Sequence, residues 1–133
     1  MITRIFQGLA WIVVGGLLIQ FYLAGVALFG ATTFQPHRAL GDGLAAAIVL
    51  LLVVVLLARP GRRVIGLTLT LTALTIVQIW LPSLRTGLPW VAALHVVNGV
   101  ALAAVAITIA LAAHQPADAR ISREAFLASP ETG

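Results

Sequence analysis

Phe34 to Gly41 reads FQPHRALG and Leu94 to Gly99 reads LHVVNG, and in each a histidine stands four residues before a glycine. Both lie in or beside long apolar runs of a chain of 133 residues that is 61% hydrophobic and 9% charged, with mean hydropathy +1.09. Those figures lie outside the range of an ordinary soluble domain and read as an integral membrane protein. A histidine inside a membrane is costly to bury and seldom idle, so a matched pair is the most informative feature of the chain.

The first motif sets the helix that carries it. Leu44 to Ala58 is apolar but only 15 residues long, below the roughly 17 to 25 a membrane span needs. The helix therefore has to start earlier. Pro36 suits a first turn and Thr32 or Thr33 a cap, which puts the start just before His37 and places His37 inside the helix near one interface. Arg38 and Asp42 are then one turn apart and able to pair.

Working outward, Ile5 to Gly30 carries no charge and exceeds the roughly 20 residues of a span, so it reads as a retained helix and not a signal-peptide core. Its glycines Gly15, Gly16 and Gly25 suit close helix packing, and Gln20 and Tyr22 are its polar points. Arg59 to Arg63 form a short basic turn. Val64 to Leu81 is a third span with Thr68, Thr70, Thr72 and Thr75 able to bond back to the helix, closing at Pro82. A loop with Arg85, Gly87 and Pro89 leads to a fourth span ending at Ala113, which carries His95. Tyr22, Trp80 and Trp90 read as interfacial aromatics, and His114 as an interfacial residue. The expected organisation is one transmembrane domain over 1–114, with helices at about 5–30, 36–58, 64–81 and 89–113. A polar tail follows over 115–133, with at most one short helix around Ser122 to Ala128.

The charges report topology. With the amino terminus cytoplasmic, Arg4, Arg59, Arg62, Arg63, Arg120 and Arg123 lie inside and only Arg38 and Arg85 outside, the bias the positive-inside rule predicts. Both termini are then cytoplasmic, and His37 and His95 share the extracytoplasmic half of a bacterial plasma membrane. The net charge of +4 is spread over span ends, so no nucleic-acid partner is expected. The partner that the composition itself requires is the lipid bilayer.

Displacing the chain by 58 residues lays Gln20 on Gln78, Tyr22 on Trp80, His37 on His95, Gly41 on Gly99 and Leu44-Ala45-Ala46 on Leu102-Ala103-Ala104. The rare residues fall into register. Each copy holds two spans, so the copies share one orientation and are related by a pseudo-twofold axis along the membrane normal. The fold expected is all-α: a four-transmembrane-helix bundle built from two helical hairpins, with His37 and His95 facing each other across it.

Two histidines from different helices at one depth are what a non-covalent b-type haem needs, one imidazole on each face of the iron. The absence of cysteine excludes disulfides, iron–sulfur clusters and covalent c-type haem. Gly41 and Gly99, one turn after each histidine, leave room on the same helix face for a flat ring; they suit helix crossings equally. Gln20, Gln78, Asn98 or a backbone carbonyl can accept the second imidazole N–H, with interhelical bonding the favoured role of the two glutamines. Arg38 and Arg85, on the same side, can pair with propionates.

The layout of QFYLAG late in the first span, FQPHRALG opening the second, VQIWLP closing the third and LHVVNG in the fourth resembles an uncharacterised family of small bacterial four-helix membrane proteins. More distantly it resembles one half of haem A synthase, whose four-helix halves carry a histidine on the second and fourth helices. That resemblance implies His37 and His95 as the haem ligands. The chain has one half only and no acidic residue on its first helix, so what the resemblance implies is haem binding and not haem modification.

The expectation is thus a bis-histidine b-type cytochrome passing electrons, alone or within a larger membrane redox complex, with a quinone or a redox subunit as partner. A cofactor-free accessory subunit of a membrane complex is the alternative, and a proton-coupled transporter using Asp42 a third. No nucleophile, base and orienting group occur together, so no catalytic residue is expected.

Overall fold

The computed structural model describes residues 2–113; the expectations for His114 and the tail lie outside them. Four α-helices follow one another: α1 (Ile2–Leu28), α2 (Gln35–Ala58), α3 (Arg62–Trp80) and α4 (Pro89–Ala113), with a 3-10 turn over Leu81–Thr86 between the last two. Each of the four is long and apolar enough to cross a membrane, the third counted through to Thr86. No strand occurs among the described residues, so the chain is an all-helical, multi-pass membrane protein.

Local chemistry explains where each helix stops. Gly30 takes φ +78°, and Ala31 N–H donates to the Val26 carbonyl at 2.9 Å while Gly30 N–H donates to that of Ala27 at 3.1 Å. This is a Schellman ending, which needs a left-handed residue and so favours glycine. At the head of α2, the position before the first helical residue is Phe34, whose side chain caps nothing. Thr33, one of the two expected caps, instead accepts the Gln35 N–H on its hydroxyl at 3.3 Å. Pro36 sits in the first turn, where its missing N–H costs nothing. The turn to α3 runs through a left-handed Arg59 and through Gly61 at φ +119°, after which Arg62 and Arg63 belong to the first turn of α3. Pro82 ends α3, and the chain tightens into the 3-10 turn rather than unwinding.

The four threonines of α3 behave as their positions predict. Thr68, Thr70, Thr72 and Thr75 each donate to the carbonyl one turn back, at 2.8 to 3.0 Å, which lets a hydroxyl sit in an apolar helix without an unmet donor. Thr68 is fully buried on those terms.

Each helix packs on its two neighbours, α1 on α2 and α4, α3 on α2 and α4, and none packs on the helix diagonally opposite. The start of α1, the end of α4 and the α2–α3 turn lie at one end of this square bundle, the terminal end; the α1–α2 loop and the 3-10 turn lie at the other, the loop end. Packing is unequal between the two. The core is Phe6, Val13 and Leu17 of α1, Ile48, Leu51 and Val55 of α2, Val64 and Leu71 of α3, and Ala106 and Ile109 of α4, all toward the terminal end. Gln7 Nε2 fastens that end by donating to the Ala113 carbonyl at 2.8 Å. Beyond Gln20 and Gln78 toward the loops, only Ala27 and Leu81 are buried among the described residues.

Of the glycines expected to serve packing, one does. A Cβ on Gly16 would lie 2.5 Å from Leu44 Cδ2, so α1 and α2 cross there; Gly15 and Gly25 face open space.

Candidate functional site: a histidine pair on the bundle diagonal

Where the close packing ends, the polar residues of the repeat meet. His37 stands in the first turns of α2 and His95 in the second turn of α4, helices on one diagonal of the square. Their ring centroids are 6.2 Å apart with planes at 66°, although no backbone contact joins the two helices. The side chains alone cross the bundle axis. Phe34 adds an aromatic edge, its ring centroid 6.2 Å from that of His37.

Each imidazole is fixed in the same way. His37 Nδ1 lies 3.1 Å from the Gln20 carbonyl and His95 Nδ1 lies 3.1 Å from the Gln78 carbonyl. A carbonyl only accepts, so both Nδ1 atoms carry a proton, and in the neutral ring this tautomer leaves the lone pair on Nε2. Of the acceptors that the sequence allows for the second imidazole N–H, backbone carbonyls serve in both copies. The glutamine side chains have other roles.

Those roles explain the glycines. A Cβ on Gly41 would lie 2.9 Å from Gln20 Nε2, and one on Gly99 would lie 3.4 Å from Gln78 Nε2 and 3.6 Å from the Phe21 ring. The room expected for a flat ring is taken here by a carboxamide in each copy. Gln78 Nε2 lies 3.3 Å from His95 Nε2, and Asn98 Nδ2 donates to Gln78 Oε1 at 2.7 Å and to the Leu74 carbonyl at 2.9 Å. Gln20 has no such network: its Oε1 is buried without a partner.

At the loop end, Arg38 and Arg85 line one open cleft of about 380 Å³ together with Pro82, Ser83 and Thr86. The ion pair expected between Arg38 and Asp42 is not formed among the described residues. A shallower apolar recess of about 280 Å³, lined by Val77, Leu81, Leu94, Val97 and Ala101, reaches Asn98 from the side of α3 and α4.

All nine residues singled out in the sequence therefore fall at or beside this centre, seven around the histidines and two at the cleft. Sequence reasoning missed Phe21, whose contact with Gly99 depends on how α1 is rotated against α4. It also missed the weight of position 40, where leucine stands in the place of Asn98; the displacement by 58 residues carries that signal. Among the described residues no three His, Asp or Glu side chains gather as a metal-binding group.

Fold and site together define a membrane-spanning four-helix bundle organised around a diagonal histidine pair. Residues 20–86 match the family of unknown function DUF6220, and the chain belongs to that family. The match takes in Gln20, His37, Arg38, Gly41, Gln78 and Arg85 and ends before α4. No curated protein and no solved structure matches the chain.

Proposed function

We propose that this protein binds one b-type haem between His37 and His95 and serves one-electron transfer in a bacterial plasma membrane, with both termini cytoplasmic and the histidines in the outer half. The observation that carries this reading is the imidazole pair itself. The two rings come from different helices and approach across the bundle axis with centroids 6.2 Å apart, and one haem iron would take one imidazole from each.

The donor set suits the group. Both rings are tied at Nδ1 to a backbone carbonyl, which orients the ring and raises the basicity of Nε2. A bare metal ion would find two imidazoles and no third His, Asp or Glu among the described residues, whereas a porphyrin brings its own nitrogen ligands. Arg38 and Arg85, sharing a cleft at the loop end, are placed to hold propionates by charge-assisted bonds. The loosely packed loop half is where a flat apolar group has the least protein to displace. Seating it requires Gln20 and Gln78 to withdraw their amides from the glycine faces. When bound, haem would supply a one-electron couple, with His37 and His95 as the protein groups to hold it, which suits electron transfer. A quinone or a redox subunit on the outer side is the fitting partner.

One observation favours a second reading, a cofactor-free accessory subunit: Gln78 satisfies His95 as the chain stands. The deciding experiment is a reduced-minus-oxidised visible spectrum of the purified full chain after haem supplementation, on wild type, His37→Ala and His95→Ala. A sharp low-spin b-type signal in wild type, altered in each variant, is expected. A wild type that stays colourless refutes the haem reading and leaves the accessory subunit.

A further inference from the structure

The internal repeat is broken at one position, and the break falls on the histidine pair. In the second copy every donor and acceptor can be assigned in sequence. The Leu74 carbonyl accepts, so the group of Asn98 that faces it is the NH2. The same NH2 also meets Gln78, so the Gln78 atom there is the oxygen. Gln78 therefore turns its own NH2 toward His95, whose Nδ1–H is already given to the Gln78 carbonyl. The lone pair on His95 Nε2 is the acceptor of that last bond. In the first copy Leu40 replaces the asparagine. Gln20 Oε1 is left buried with no donor, and His37 Nε2 makes no hydrogen bond among the described residues, its Nδ1 alone being held.

We propose that the two histidines are unequal ligands: His37, with an open Nε2, is the anchoring ligand, and His95, latched by Gln78 under the control of Asn98, is the exchangeable one. This rests on the haem reading above. Binding at His95 has to break the Gln78 hydrogen bond first, whereas binding at His37 Nε2 breaks no hydrogen bond. The exchangeable position then admits a small neutral ligand such as carbon monoxide in the reduced protein, on the His95 side.

The test uses the full chain in detergent, in two parts. In the haem-free protein, nitrogen-15 imidazole shifts are expected to show both rings with the proton on Nδ1 and a hydrogen-bonded Nε2 on His95 only. Asn98→Leu should bring the two Nε2 signals together. In the haem-loaded protein, His37→Ala is expected to weaken haem retention about tenfold more than His95→Ala does. Asn98→Leu should weaken carbon monoxide binding roughly three- to tenfold, the worth of one hydrogen bond returned to His95. Because Asn98→Leu leaves Gln78 Oε1 bare, Gln78→Met, which removes the latch altogether, is measured beside it and should act in the same direction. Leu40→Asn, which supplies Gln20 with the missing donor, should bring the losses from the two histidine variants level. Equal Nε2 signals in the haem-free wild type, or equal losses from the two histidine variants with normal haem uptake, overturn the inequality alone. A wild type that takes up no haem overturns the haem reading and the ligand assignment with it.

Discussion

Gly15 and Gly16 are adjacent in one helix, and the structure gives them opposite expectations. A methyl group at position 15 meets nothing within 4 Å, whereas at position 16 it lies 2.5 Å from Leu44 Cδ2, 3.3 Å from Cγ and 3.5 Å from Cδ1. Carbon atoms rest at about 3.5 to 4.0 Å, so Leu44 has to move by about 1 Å in the packed core where it is 6% exposed. Overpacking of this kind costs about 1 to 3 kcal/mol. Replacing glycine by alanine also favours the helix, by up to about 1 kcal/mol, but that gain applies to both positions and cancels in their difference. Gly16→Ala is therefore expected to be less stable than Gly15→Ala by about 1 to 3 kcal/mol. Leu44→Ala, which removes all three offending atoms, should cost about 2 to 5 kcal/mol alone and less by the steric amount in the Gly16→Ala background. The assay is unfolding in mixed dodecylmaltoside and SDS micelles followed by far-ultraviolet circular dichroism, with the coupling taken from the double-mutant cycle. Equal stability of the two alanine variants, or strict additivity with Leu44→Ala, would refute the reasoning that α1 and α2 cross at Gly16.

The two glutamines of the repeat should also part company. Gln20→Leu removes a buried oxygen that has no partner and is expected to be neutral or stabilising in the same assay. Gln78→Leu removes two side-chain bonds, from Asn98 and to His95, and should cost about 1 kcal/mol at roughly 0.6 per interhelical bond. On the haem reading, replacing both Arg38 and Arg85 at the loop-end cleft by glutamine should lower haem affinity by up to about fivefold per arginine, the upper end for an exposed ion pair. Haem titration at low and high salt should show a smaller salt dependence in that variant while the histidine-ligated spectrum persists.

Hydropathy, rare polar residues and internal register, read along the chain, determine much of this protein. Three apolar runs of spanning length, and a shorter one that reaches it once the helix is begun before His37, point to membrane-spanning helices, and His37, His95, Gln20, Gln78, Gly41 and Gly99 mark the repeat because chance seldom aligns such residues in an Ala- and Leu-rich chain. The threonine back-bonds of α3 follow from the same one-dimensional reading, since they join residues four apart. What the tertiary structure decided turns on helix rotation and separation, which spacing along one chain does not fix. That is why Gly16 and not Gly15 lies at the crossing, and why backbone carbonyls hold both imidazoles while the glycine faces receive Gln20 and Gln78. The inequality of the two histidines is of the same kind. Leu40 and Asn98 are plain in the sequence, but the difference between them gains a consequence only where α3 and α4 bring Asn98, Gln78 and His95 within hydrogen-bonding distance.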